Sequence, residues 1–284
     1  MTGATIRIFL ADGTPLGLRV IEKSNWTGRG FDFARSDWPK VRARDDFSRP
    51  GVYVLHGLGD DGLTRIYIGE ADELRKRLNQ HFAGPAAKEF WTRAVAFSSK
   101  DENLNKAHVR YLESRLIALG LAAKRATLEN GTVPAPPSLS EYDRAEAETF
   151  LDEMLVIYPL LGIDAFAPPS KAPDPAGRLT LTAKGLVAHG HDASEGFIVY
   201  EGSLASKTEV PSLHEYIRKL RATLLATGVL VGTEPGLRLT QDYTFGSPST
   251  AAAVMLGRTA NGRMEWRNDK GQSLKAIQEA AAAG

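Results

Sequence analysis

Five side chains in the first half of this sequence have types and spacings that could do chemistry: Tyr53, Tyr67, Arg77, His81 and Glu113. The two tyrosines lie in short apolar stretches, Gly51-Val52-Tyr53 and Tyr67-Ile68-Gly69, with thirteen residues between them. Arg77 and His81 are four apart, so on a helix they stand one above the other on a single face. At about 100° per residue that face lies roughly 60° around from a Leu74/Leu78/Phe82 stripe, beside the core and outside it. Glu113 falls between Val109 and Ile117 in an apolar arc completed by Leu112, Leu116 and Leu119. A carboxylate on an apolar side is costly unless it is paired or holds a cation. A salt bridge to Arg77 is one solution. A divalent cation is the better one, because hard oxygen donors suit Mg²⁺ or Mn²⁺, which keep most of their waters.

The elements that must position these groups are legible from periodicity. Residues 51–55 and 65–69 alternate as strands around a turn at Gly57–Gly62 containing Asp60 and Asp61, which predicts an antiparallel hairpin. Asp72 is placed to cap a helix running to about Phe82. Ala94-Val95-Ala96-Phe97 reads as a strand, and a long helix is expected from about Leu104 to Leu119, ending near Gly120. Ser138 and Glu141 have capping-box spacing for a further helix through Tyr158. Upstream, Ile6, Ile8 and Leu10 alternate before an Asp12-Gly13 turn and then Leu16, Leu18 and Val20, a second hairpin. The polar, glycine-rich stretch 24–30 follows it.

Gly51-Val52-Tyr53, Tyr67-Ile68-Gly69, Leu74-x-x-Arg77-x-x-x-His81 and Leu112-Glu113-x-x-Leu116-Ile117, taken in order, resemble the GIY-YIG nuclease superfamily. The resemblance covers about 80 of the 284 residues. It implies a small antiparallel sheet flanked by helices and a metal-dependent endonuclease acting on nucleic acid, with DNA as the expected substrate and Mg²⁺ or Mn²⁺ as cofactor. It also implies that Tyr53 and Tyr67 line the active site, that Arg77 contacts the scissile phosphate, and that Glu113 holds a single metal. His81 matches a histidine kept by part of the family, and Asn130 aligns loosely with a later polar residue. Glu70 departs from the pattern: relatives often carry a basic or small polar residue there, so it adds negative charge or a second metal ligand. The alternative function is a catalytically inactive nucleic-acid-binding protein on a vestigial nuclease fold.

The implied chemistry is consistent with the side chains. A phenol near its reference pKa of about 10 is a poor base unless a cation or a shared hydrogen bond lowers it. The planar fork of Arg77 suits phosphate better than a lysine would. A metal on Glu113 acts as Lewis acid toward the leaving oxygen.

The totals bound the rest. Hydrophobic residues make up 43% and charged residues 24%, ordinary for a folded protein with more than one core. No cysteine is present, which excludes disulfides and thiolate zinc sites. No apolar run is long enough for a bilayer and no signal-peptide pattern is visible, so a cytoplasmic protein is the expectation, with oligomeric state left open. The net charge of +1 argues against a histone-like binder, but it hides an uneven distribution. Residues 1–50 carry nine Lys/Arg against six Asp/Glu, and residues 131–177 carry eight Asp/Glu against Arg144 and Lys171.

The expected organisation is α+β throughout: a β-hairpin extension at 1–48, the nuclease domain at 49–132, a helical and Pro-rich linker at 133–177, and a second α+β domain at 178–284. The linker signal is densest from Ala167 to Pro175. The C-terminal part resembles a domain of unknown function often found behind GIY-YIG nucleases, and more faintly a small domain attached to restriction-linked adenine methylases. There, Asn261-Gly262 reads as a tight turn into a strand carrying Trp266. Arg258, Arg263 and Arg267 around that aromatic are candidates for phosphate or unpaired-base contact, against the alternative of a core tryptophan with solvated arginines. His189 and His191 read as loop residues.

Overall fold

The computed structural model describes residues 3–59, 64–84, 87–101, 103–167, 177–194 and 196–282. The turn expected at Asp60-Asp61 and the linker stretch 168–175 lie outside them. The chain is α+β and divides into two compact units, Met1–Pro168 and Pro169–Gly284.

The first unit is built on one seven-stranded sheet. Strands β1 (Ile6–Leu10), β2 (Arg19–Lys23) and β3 (Gly28–Ala34) lead into a short helix, α1 (Trp38–Val41). The hairpin β4 (Gly51–Leu58) and β5 (Thr64–Ala71) follows, then α2 (Leu74–Ala83), β6 (Arg93–Ser99), α3 (Lys106–Ala123), β7 (Thr127–Leu128) and α4 (Glu141–Ile157). The strand order is β1-β2-β3-β6-β4-β5-β7, antiparallel except where β7 runs parallel to β5.

The N-terminal extension is therefore not separate. β3 pairs with β6 over seven residues, from Gly28 opposite Ser99 to Ala34 opposite Arg93, and covers an edge that β6 would otherwise expose. The end of the polar, glycine-rich stretch 24–30 supplies the start of that strand. Gly30 leaves space for the Phe97 ring, which a Cβ would meet at 2.8 Å.

The period of two sorts side chains onto two faces. Val52, Val54, Ile66, Ile68, Val95 and Phe97 face α3 and α4. Tyr53, Leu55, Phe31, Phe33, Ala94 and Ala96 face the opposite way, against Trp38, Phe47, Leu74 and Leu78. Helix α4, expected within a linker, buries Ala147, Phe150, Leu151 and Met154 in the first of these cores. Its cap is Ser140, which accepts from the Asp143 amide, two residues beyond the expected Ser138.

The second unit has a four-stranded sheet of β8 (Leu179–Ala183), β9 (Leu186–Ala193), β10 (Gly196–Val199) and β14 (Tyr243–Phe245). A three-stranded sheet holds β11 (Leu204–Ala205), β12 (Leu230–Gly232) and β13 (Leu237–Leu239). Helices α5 (Glu215–Ala226), α6 (Pro248–Leu256), α7 (Gly262–Glu265) and α8 (Leu274–Ala282) complete it. Asn261-Gly262 opens α7 in place of a hairpin turn, and Trp266 lies just beyond it in the core. Both histidines expected in a loop are on β9, where His189 Nδ1 is 3.1 Å from Thr180 Oγ1 and His191 Nδ1 is 2.9 Å from Tyr200 Oη. Among the described residues no helix is long and apolar enough to cross a membrane.

Candidate active site

The two tripeptides on β4 and β5 are physically reciprocal. Tyr53 lies directly opposite Gly69 in the ladder, and a Cβ on Gly69 would overlap the Tyr53 phenol. Gly51 is equally constrained, because a Cβ there would run into the carbonyl of Phe97 and the side chain of Leu74. Tyr67 is the diagonal neighbour of Tyr53 on the same face, and the ring centroids are 6.3 Å apart.

Helix α2 closes over these rings. Its buried stripe is Leu74, Leu78 and His81, positions i, i+4 and i+7, with Phe82 only partly buried. His81 therefore takes the core position expected of Phe82, since seven residues bring it within about 20° of Leu74. Its Nε2 is 2.8 Å from the Tyr53 hydroxyl, and its ring centroid is 5.0 Å from that of Tyr67. Tyr53 is itself fully buried. Burial pushes its phenol well above the ordinary range, with Tyr67 adding to the rise and Arg77 opposing it. The shift keeps the Tyr53 phenol in its neutral form, a hydrogen-bonding partner for His81. The half-buried Tyr67 has the Lys88 ammonium 4.3 Å from its ring centroid. No periodicity or motif pointed to Lys88; only the return of the chain after α2 brings it there.

Arg77 lies within interaction range of both phenols, and its Nη1 donates to Gln80 Oε1 at 2.9 Å. It lines a cleft of about 590 Å³ together with Gln80 of α2, Glu70 and Asp72 at the end of β5, and Lys106 and Glu113 of α3. Asp72 does not cap α2: the cap residue is Glu73, without a side-chain bond, and Asp72 pairs with Lys106.

Glu113 is half-buried, as the apolar arc requires. No ion pair joins it to Arg77 among the described residues, so the salt-bridge solution is not realised. Burial, and then the charge of Glu70, push its carboxyl up to about 7, while the Glu70 amide, Arg77 and Arg110 pull it down. Glu70 is also raised, by burial and by Asp72. Two hard carboxylates that line one cleft and both resist ionisation are a fitting donor set for a divalent cation.

Asn130 does not face this cleft as a ligand group. Its Oδ1 accepts from the Ile68 amide at 3.0 Å and its Nδ2 donates to the Ile68 carbonyl at 2.8 Å. The side-chain amide so extends the β5 ladder beyond β7, and its polar atoms are engaged in holding the strand that carries Tyr67 and Glu70.

The C-terminal candidates are differently placed. Trp266 is completely buried against Phe197, centroids 4.5 Å apart, and its Nε1 donates to the Pro248 carbonyl, so it offers no face to a base. Arg258 pairs with Glu265 at 2.7 Å, Arg263 donates to Gln278, and Arg267 donates to the Gly271 carbonyl. The arginines thus surround a structural tryptophan and are engaged within the unit. Arg221, which no motif singled out, is buried in this core, paired with Glu209 and donating to the carbonyls of Val254 and Ser206.

Residues 179–278 match a family described as a domain of unknown function (DUF4357), while residues 49–132 have no GIY-YIG family match. Neither a curated protein nor a solved structure matches the chain.

Proposed function

We propose that residues 49–132 form a metal-dependent phosphodiesterase, an endonuclease acting on nucleic acid, with DNA the first substrate to test. The observation that carries this reading is the convergence on one cleft of Arg77 and the carboxylates of Glu113 and Glu70, backed by the buried Tyr53–His81 pair. Each group has a distinct task. Arg77 binds a phosphoryl oxygen and offsets the charge that grows on it. Tyr67, the less buried phenol, positions the attacking water by hydrogen bonding. Tyr53, held by His81, fixes the floor on which Tyr67 and Arg77 rest.

Glu113, with Glu70 beside it, would hold Mg²⁺ or Mn²⁺, which supplies Lewis acidity at the leaving oxygen when bound. Without a cation the acidic groups around Arg77 repel a phosphate. Cleavage and tight binding should therefore both depend on metal.

The test is incubation of the full chain with plasmid, single-stranded and branched DNA, and RNA, with Mg²⁺, Mn²⁺ or chelator. Metal-dependent nicking should fall by about 10²–10³ in Glu113→Gln and in Arg77→Ala. Nicking that Glu113→Gln leaves intact sinks the assignment. Salt-dependent binding without any cleavage would favour the vestigial, binding-only alternative.

A further inference from the structure

The first turn of α3 and the first two turns of α4 bring together His108, Asp143 and Glu146, which the nuclease reading does not use. One donor atom from each lies within 4.8 Å of the others. Asp143 and Glu146 are three apart on α4 and so share a face, and an acidic residue in a first helical turn, as Asp143 is, needs no ligand to explain it. His108 is harder to account for. It is 5% exposed, and its Nε2 has no hydrogen-bond partner among the described residues.

The protonation of that ring follows from its other nitrogen. His108 Nδ1 is 2.8 Å from the Asn103 carbonyl oxygen, which can only accept, and 3.4 Å from the Asn105 amide nitrogen, which can only donate; a bare lone pair at 2.8 Å from the carbonyl would be the costlier arrangement, so Nδ1 carries the proton. In the neutral imidazole Nε2 is then a bare lone pair. It faces the Asp143 Oδ1 at 3.4 Å, acceptor against acceptor. Two arrangements relieve this: a second proton that makes an imidazolium–carboxylate pair, or a cation held by both. The 3.4 Å separation is long for a charged N–H···O bond, which is usually about 2.7–2.9 Å. It matches the edge of a tetrahedron whose metal–ligand bonds are about 2.0–2.1 Å, since such donors lie about 3.4 Å apart. A histidine whose Nδ1–H is anchored on a backbone carbonyl is also the usual orientation of a metal-binding imidazole.

His108 and Glu146 open onto a cavity of about 390 Å³ that Trp26 and Asp101 also line, leaving room for solvent to complete a coordination sphere. Trp26 Nε1, likewise buried and without a partner among the described residues, adds a second unmet polar atom to the same wall. Glu113 is five positions along α3, about 7.5 Å in rise and about 140° around the axis, so the two sites do not share a face.

We propose that His108, Asp143 and Glu146 form a second divalent-metal site, with one nitrogen and two carboxylate ligands and an open position for water. The imidazole donor and its 3.4 Å distance from the Asp143 oxygen favour Zn²⁺ over Mg²⁺. The ion ties the N-terminal end of α4 to the first turn of α3, and so braces the helix that carries Glu113.

The test is calorimetric titration of tag-free full-length protein with Zn²⁺, and separately with Co²⁺ followed by its visible d–d absorption. Wild type should take up Zn²⁺ at this site and show the intense bands of four-coordinate Co²⁺. Asp143→Asn and Glu146→Gln, both on the solvent side of α4, should each weaken uptake at least about tenfold. The four-coordinate Co²⁺ bands should persist in Glu113→Gln, which separates this site from the nuclease metal. No Zn²⁺ uptake by wild type, or uptake unaltered in the Asp143→Asn/Glu146→Gln double variant, overturns the proposal. His108 and Asp143 would then be an imidazolium–carboxylate pair only.

Discussion

Tyr53 stands directly across the β4–β5 ladder from Gly69, and only a residue without a Cβ leaves room for its phenol. That relationship makes the second tripeptide a packing requirement as well as a signature. Gly69→Ala should displace the Tyr53 ring, break its 2.8 Å contact with His81 and cost about 1–3 kcal/mol by overpacking. Urea denaturation gives the stability change, and the nicking assay should show a matching loss even where the variant is folded.

Cation binding at Glu113 must displace a proton below the point where the carboxyl ionises. Its folded value is raised from 4.5 to about 7. The native state therefore binds more protons than the unfolded chain between those limits, and metal-free stability declines as pH rises through that window. Apparent Mn²⁺ affinity should fall about tenfold per pH unit below about pH 7 and level off above it. Titration in a series of buffers measures this, and Glu113→Gln should remove that pH dependence together with the binding.

His56 on β4 is governed by the opposite sign. Burial holds its imidazole down to about 4 from 6.5; Asp32 opposes that shift, while Arg93 and Arg19 reinforce it. The neutral ring contributes stability that is fully present above about pH 6.5 and is lost as pH falls through about 4, up to about 3 kcal/mol. His56→Gln should flatten the acid limb of a stability-against-pH curve. An unchanged limb would contradict the assignment.

Asp32 is completely buried on β3 between Arg19 and Arg93, with Arg93 Nη2 at 2.7 Å. Removing the carboxylate leaves two arginines partly buried without their counter-charge. Asp32→Ala should cost about 3–5 kcal/mol, read as a lowered denaturation midpoint. If the loss stays within a few tenths of a kcal/mol, the pair is not a structural anchor.

Several features of this protein were legible in residue order alone, because they depend on local geometry. The two glycine–tyrosine strands, the four-residue spacing of Arg77 and His81, and the place of Glu113 on an apolar arc follow from periods of two and of 3.6 residues. The same arithmetic already held the burial of His81, seven residues after Leu74, although Phe82 was the more apolar choice. Tertiary structure decided what depends on residues far apart in the chain. The pairing of β3 with β6 turned an N-terminal hairpin into three strands of the main sheet. Lys88 came to lie on Tyr67, and Asn130 became part of the β5 edge. Trp266, readable either as part of a binding patch or as core, became core because its indole packs on Phe197 of β10 and donates to the Pro248 carbonyl of α6. The charge state of the cleft was decided in the same way: Glu70, 43 positions before Glu113, raises its cost of ionisation only once β5 and α3 are packed together. Periodicity says which way a side chain points along its own element, whereas the field it meets comes from elements that only folding brings near.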